Sequence, residues 1–332
     1  MSSSPKLAIP KGSLVLVTGS TGYIGSWVVY EFIKQGYRVR ASVRSQEKFN
    51  NLSSIIEKAF GPGKVEASFV TDFSSPDGYA DAIKGVDAVV HVATDTSFSS
   101  DPDVVVKNAV DSTKGLLNLA RKTPSVKRVV LTSSSVALAF HDPTSTFKFS
   151  DKAWNDSSVE QMHSANSGYV TYAASKVLGE KAFWEGDASF VRNTVLPSFT
   201  IGPALDDTLS SSTHAWLKGT WNNEEVSVAT LKMIGPYQWF INVQDIAKLH
   251  VGAVIFEEVA NQRLLGLAGK YSFNDAIDFF HKVDPERSLP SKFEDVPEDT
   301  TEADTASALE VLKLFGQNGF IGVEQTIKEN IA

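Results

Sequence analysis

Val17-Thr18-Gly19-Ser20-Thr21-Gly22-Tyr23-Ile24-Gly25 decides the reading of this chain. It follows a short apolar run, Leu14-Val15-Leu16-Val17, that reads as a buried strand, and it opens an amphipathic stretch from about Tyr23 to Gln35 that reads as a helix. Glycines at such a junction allow a tight turn, let the backbone approach a pyrophosphate, and let the helix pack closely on the strand. The helix N-terminus then offers free N–H groups and a favourable dipole to phosphate. Three glycines alone are a weak signal, but at the first strand–helix junction they mark a dinucleotide site. Gly19, Thr21, Gly22, Tyr23, Ile24 and Gly25 are the candidate cofactor-binding positions in this loop.

Outward from the loop the rhythm persists. Further strands are predicted over Tyr37 to Val43, Val65 to Val70, Asp87 to Val92, Arg128 to Thr132 and Phe190 to Leu196, with a long helix over Pro102 to Lys122. Strands without polar alternation, each separated by a helix, imply a parallel sheet covered on both faces. The expected class is α/β: a doubly wound parallel sheet (Rossmann) with a smaller C-terminal substrate-binding lobe. Residues 1–197 form the expected NADP-binding domain, to which 241–265 returns. Residues 198–240, where the period is lost, and 266–332 form the expected lobe.

Composition narrows the function. Of 332 residues, 42% are hydrophobic and 21% charged, a balance able to bury a large core. The net charge of −8 disfavours a nucleic-acid partner. No apolar run reaches membrane-spanning length, and Met1 to Ser13 does not read as a signal peptide, so no membrane partner and a cytoplasmic location are expected. The chain has no cysteine, which excludes thiolate nucleophiles and Cys-ligated zinc. His91, His141, His163, His214, His250 and His281 show no metal-ligand spacing, so no metal is expected.

The second strand ends in Arg40-Ala41-Ser42-Val43-Arg44-Ser45-Gln46-Glu47-Lys48. An NAD site usually places an acid there for the ribose 2′-hydroxyl. Arg44 stands in that place and Lys48 a turn beyond, which suits a 2′-phosphate and favours NADP(H) over NAD(H). Arg40 reads as structural or solvated. Asp72 and Phe73, ending the third strand, are candidates for the adenine. Ala93 and Thr94, ending the fourth, are candidates for the phosphates and the nicotinamide ribose.

Tyr172-Ala173-Ala174-Ser175-Lys176 places a phenol and an ammonium on one helical face. Tyr30 and Lys34 share the spacing, but on the first helix, behind the phosphate loop. Tyr172 lies after the fifth strand, which ends in Thr132-Ser133-Ser134-Ser135 and brings hydroxyls to the same sheet edge. A carbonyl oxygen gains negative charge as hydride arrives, so it needs hydrogen-bond donors and a proton. Lys176 is expected to lower the pKa of Tyr172 toward the working range.

These stretches, with Asp87-Ala88-Val89-Val90-His91-Val92-Ala93 and Val195-Leu196-Pro197-Ser198-Phe199-Thr200-Ile201-Gly202, resemble the extended short-chain dehydrogenase/reductases. The likeness is to the dihydroflavonol reductase-like branch and to fungal and yeast NADPH-dependent carbonyl (aldehyde) reductases. It spans roughly residues 13 to 255, and little beyond. It implies that Ser134 is the catalytic serine, with Ser135 the alternative, and that Pro197 and Ser198 meet the nicotinamide carboxamide. It also puts Phe98, Tyr169 and Gln238 near the substrate pocket. Sugar-nucleotide dehydratases carry an Asp-Glu pair where this chain has Ser133-Ser134.

The expected reaction is NADPH-dependent reduction of small, apolar or aromatic ketones and aldehydes, by a monomer or homodimer. Ser134 and Tyr172 bind the oxygen, Tyr172 donates the proton and Lys176 sustains it. A nucleotide-sugar epimerase and a non-catalytic NADP-binding regulator are the alternatives on the same fold.

Overall fold

The computed structural model describes residues 5–73, 75, 77–210 and 212–332. The apolar run becomes β1 (Leu14–Thr18), wholly buried, and the glycine loop leads into α1 (Tyr23–Lys34). β2 (Arg38–Val43) follows, then α2 (Gln46–Phe60), started by the Ser45 hydroxyl accepting from the Lys48 amide. β3 (Val65–Phe69) comes next, and between it and β4 (Ala88–His91) residues 77–85 form only turns. The expectation of a helix between every pair of strands fails there.

α3 (Pro102–Arg121) starts with Asp101 capping the Asp103 amide and proline in its first turn. β5 (Arg128–Thr132), β6 (Lys148–Phe149), α4 (Asp156–Gln161), α5 (Gly168–Trp184) and β7 (Val191–Pro197) follow. All pairings in the main sheet are parallel, so β1, β4, β5 and β7 end at one edge. Ligands of such sheets bind beyond the carboxyl ends of the strands.

The chain then builds β8 (Phe199–Ile201), α6 (Ser212–Trp221), α7 (Glu225–Ile234) and β9 (Tyr237–Asn242). α8 (Val243–Ile255) packs on α1, and β10 (Arg263–Gly266) pairs with β7 as the seventh strand, in the order β10-β7-β5-β4-β1-β2-β3. β10 was not expected from the sequence, because Arg-Leu-Leu-Gly is short and carries a charge. β11 (Gly269–Ser272) joins β9 and β8 in a small sheet, and α9 (Phe273–Val283) follows with a capping box of Ser272 and Asp275. β12 (Glu302–Ala303), α10 (Ala306–Leu314) and α11 (Val323–Ile331) complete the chain.

The boundary of the lobe differs from expectation. α10 packs on α8 and sets Ala308, Val311 and Leu312 into the main core with Val15, Phe32 and Val254. α11 instead packs on α6 and α9, with Ile327 in the cluster of the small sheet. Segment 266–332 therefore serves both cores. Among the described residues, no helix is long and apolar enough to cross a membrane.

Truncation of Leu312, a buried core side chain, tests this placement. Leu312→Ala should cost about 2–5 kcal/mol of stability in a urea titration, as a core leucine does. A loss within about 0.5 kcal/mol, the range of a surface change, would place α10 outside the main core.

Candidate active site

Hydroxyls pin the glycine loop at both flanks. Thr18 Oγ1 accepts from the amides of Val92 and Ala93 at 3.1 Å each and meets His91 Nδ1 at 2.8 Å. Ser20 Oγ donates to the Ser42 carbonyl at 2.8 Å, tying the turn to the end of β2. Gly19 adopts φ +63°, and a Cβ on Gly25 would lie 2.1 Å from the Gly19 carbonyl oxygen. The turn thus depends on having no side chain at either position. The first amides of α1, from Tyr23, Ile24 and Gly25, have no intrahelical acceptor and face outward at the positive end of the helix. These features fit a pyrophosphate. Thr21 and Ile24 are half-buried beside them. The side chain of Tyr23 serves another purpose: it is buried, donates to the Gly202 carbonyl at 2.9 Å and packs against His214.

Two arginines near the end of β2 are used differently. Arg40 is consumed by Glu66 at 2.6 Å and the carbonyls of Ala82 and Lys84. Arg44 is exposed and, among the described residues, makes no hydrogen bond or ion pair. Lys48, in the first turn of α2, is likewise exposed. An unpaired guanidinium beside the loop is free to take an external anion. Asp72 is exposed and accepts from the Ser75 amide at 3.1 Å. Phe73, Ala93, Thr94 and Lys176 line one solvent-open cleft of about 440 Å³, together with Asn108, Ser112, Thr132, Ser133 and Glu180.

The catalytic candidates converge at the end of β5. Lys176 Nζ donates to the Thr132 carbonyl at 3.1 Å and lies 5.6 Å from the centre of the Tyr172 ring. Ser134, buried at the start of a single 3-10 turn, acts on the Tyr172 phenol against the effect of burial. Burial wins, and the phenol is held above its ordinary value of 10.0. The expectation that Lys176 lowers this pKa is thus not met in the chain alone. The reason is geometric: the ammonium lies over the ring and is bonded to the Thr132 carbonyl. Burial also brings Lys176 down to about 8, with Glu180 opposing.

Thr132 is itself fixed. His250 Nδ1 meets the Ile246 carbonyl at 2.7 Å as a donor, so its Nε2 accepts from the Thr132 hydroxyl at 2.8 Å. Desolvation keeps His250 neutral with a pKa of about 4, and His91 likewise at about 3. Tyr30, of the second Tyr-x-x-x-Lys match, packs between Trp27 and Phe60 at the α1–α2 contact.

Phe98 stands over Tyr172 at 5.1 Å between ring centres and reaches Trp216 of α6 at 6.3 Å. Its backbone is left-handed, φ +52°, and a Cβ on Gly168 would lie 1.8 Å from its carbonyl. A glycine at the start of α5 therefore admits this approach. Tyr169 is 41% exposed and packs on Phe140 at 5.4 Å. Gln238 donates to the Ile234 carbonyl at 3.0 Å and lines a separate cavity with Leu217, Tyr271 and Phe273. Ser198 donates both its amide and its hydroxyl to the Gly266 carbonyl, and Pro197 is buried opposite Gly266.

Sequence reasoning missed Glu180. It lies four residues beyond Lys176, on the same face as Tyr172, which was a usable signal.

Gly25→Ala tests the loop. Crowding the Gly19 carbonyl should weaken binding of 2′,5′-ADP at least about tenfold by calorimetry, since backbone approach to the phosphates is lost. Wild-type affinity in that variant would show that the loop does not hold the nucleotide.

Comparison with known proteins agrees with this geometry. The family model described as "NAD dependent epimerase/dehydratase family" matches residues 15–254. Aldehyde reductase 2 of Sporidiobolus salmonicolor is 37% identical, over 97% of this chain and 96% of the relative. Ketoreductase nvfG of Aspergillus novofumigatus is 30% identical over 97% and 96%. The likeness therefore continues well past residue 255, further than the motifs alone suggested. Among solved structures, yeast methylglyoxal/isovaleraldehyde reductase Gre2 complexed with NADPH superposes with a TM-score of 0.81 at 26% identity, covering 96% of both chains. The sheet order, the glycine loop and the Tyr172–Lys176 helix thus sit in a chain that belongs to the NAD dependent epimerase/dehydratase family, the extended short-chain dehydrogenase/reductases.

Proposed function

We propose that the protein is an NADP(H)-dependent oxidoreductase that reduces small apolar or aromatic ketones and aldehydes to alcohols. The observation that carries this is the convergence of Ser134, Tyr172 and Lys176 at the end of β5, beneath the ring of Phe98. The reductases among its relatives support the same chemistry.

When bound, NADPH supplies the hydride. Gly19, Thr21, Gly22 and Gly25, with the free amides of Tyr23, Ile24 and Gly25, would hold its pyrophosphate. Arg44 and Lys48 would take the 2′-phosphate, and Asp72 with Phe73 would flank the adenine. Ala93 and Thr94, with Pro197 and Ser198 across the sheet edge, would border the nicotinamide riboside. Ser134 and Tyr172 donate hydrogen bonds to the carbonyl oxygen, where negative charge develops. Burial keeps the phenol protonated at neutral pH, which suits a proton donor and so favours reduction over alcohol oxidation. Lys176, 5.6 Å from the ring centre, would sustain the proton transfer once the cofactor is bound.

The surroundings favour an apolar substrate. Phe98, Trp216 and Phe199 form a continuous aromatic wall, with Phe199 6.5 Å from Trp216. The two cations of residues 198–240 are engaged elsewhere: Lys218 with Asp207 and the Ala332 carbonyl, Lys232 with Ser291. A sugar-nucleotide diphosphate would find neither free. Residues 198–240 and α9 supply the substrate side of the site in this reading, and Tyr169 stands at its rim.

Tyr172→Phe should lower turnover about 10²–10⁴-fold, the range for losing a general acid, with NADPH affinity little changed. Retained turnover would remove Tyr172 from the mechanism. Arg44→Ala should raise the NADPH Kd about tenfold, as expected on losing a charge-assisted contact, and leave NADH unaffected. Equal loss for both cofactors would refute the 2′-phosphate role. The pH profile follows from Lys176. Its ammonium is present below about 8 and lost above, so reductive kcat/KM should fall as pH rises through that value. Activity rising through the same range would contradict the assignment.

A further inference from the structure

α5 carries Tyr172, Lys176 and Glu180 at four-residue steps, so the three share one face. The side chain of Glu180 is fully buried, yet five donors converge on it. Its Oε1 accepts from Thr194 Oγ1 at 2.8 Å, Arg263 Nε at 2.7 Å and Trp184 Nε1 at 3.4 Å. Its Oε2 accepts from Ser133 Oγ at 2.6 Å and Arg263 Nη2 at 3.1 Å. Arg263 is held in turn by the carbonyls of Asp151 and Ala153 and by the face of Trp154, 3.9 Å away.

Three of these partners come from three different parts of the main sheet: Thr194 from β7, Arg263 from β10, and Ser133 from just after β5. Ser133 adjoins Ser134, and Thr132 on its other side receives Lys176. A buried ion pair is a poor source of stability compared with apolar packing, so its position beside the proton-donating groups asks for another account.

We propose that Glu180 is a positioning residue: it locks the helix bearing Tyr172 and Lys176 to the strand end bearing Ser134, and its buried charge supports the Lys176 ammonium. This rests on the reductase reading above. Burial depresses the Lys176 pKa, and the carboxylate that counters it is that of Glu180. The other groups facing Lys176 contribute little positive support. His91 on β4 is neutral, as is His250 behind Thr132. α3 presents Asn108, Ser112 and Thr113, none of them titratable, and Asp95 also lines the cleft. On α4, Asp156 is bonded to Lys181. Tyr172 is protonated, and Arg263 faces Glu180 from β10.

The test is Glu180→Gln, read two ways. Lys176 is titrated by pH-dependent acetylation with acetic anhydride and peptide mass spectrometry, which needs no turnover. Its midpoint should fall by on the order of one pH unit on losing a near opposite charge. Reductive kcat should fall about tenfold, with carbonyl KM and NADPH Kd within about twofold, as for a loss of alignment rather than of binding. An unmoved titration and wild-type kcat, with only a lower Tm, would make Glu180 a strut and overturn the proposal. If Glu180→Gln does not fold, Ser133→Ala keeps the charge and removes the bond beside Ser134. There kcat should fall about fivefold with the Lys176 titration in place, and wild-type kcat would overturn the proposal. Should the wild-type protein reduce no carbonyl while the titration still shifts in Glu180→Gln, the reductase reading fails and the hold on Lys176 stands.

Discussion

The hydrogen bond from the Lys176 ammonium to the Thr132 carbonyl joins the helix that carries Tyr172 to the strand that leads into Ser134. A helix packed on a sheet can slide by an ångström at little cost in apolar burial, because that term has no direction. Directional bonds set the register instead. Here the bond sits at the last residue of β5. Thr132 is held from behind by a neutral His250, so the acceptor is itself fixed. The phenol, the serine hydroxyl and the ammonium inherit their mutual geometry from this joint.

The parallel sheet makes such a joint useful. With β1, β4, β5 and β7 all pointing the same way, the glycine loop, the β4 end and the helix of Tyr172 and Lys176 open on one edge. Thr18 binds the glycine loop to the β4 end through two amides, so the loop and that strand end belong to one rigid frame. The contrast between Arg40, spent on Glu66 and two carbonyls, and Arg44, without a partner among the described residues, is the same logic in reverse.

Much of this was legible beforehand, and the rest was hidden for physical reasons. Six of the seven strands of the main sheet read from the sequence, β1, β4 and β5 most clearly because they are wholly buried runs. Tyr172 was separable from Tyr30 because position along the strand–helix order, rather than spacing, decides which pair reaches the sheet edge. β10 was illegible: four residues starting with arginine look like a loop until β7 is there to pair with them. Glu180 sits in Gly179-Glu180-Lys181, which resembles a solvated helix face, and distant partners such as Arg263, 83 residues further on, explain its burial. The side chain of Tyr23 belongs to the same class, since its anchor is the distant Gly202 carbonyl. Non-local pairing is where one-dimensional pattern runs out.

The central claim is that hydride passes from NADPH to a carbonyl carbon held beneath Phe98 at Tyr172. The most direct measurement uses NADPH deuterated at the transferring position of C4, incubated with the protein and an aryl ketone, with the product alcohol analysed by mass spectrometry. The account predicts one deuterium, at the carbinol carbon, in every molecule of alcohol formed. No alcohol, or alcohol carrying no deuterium when either C4 position is labelled in turn, would contradict it.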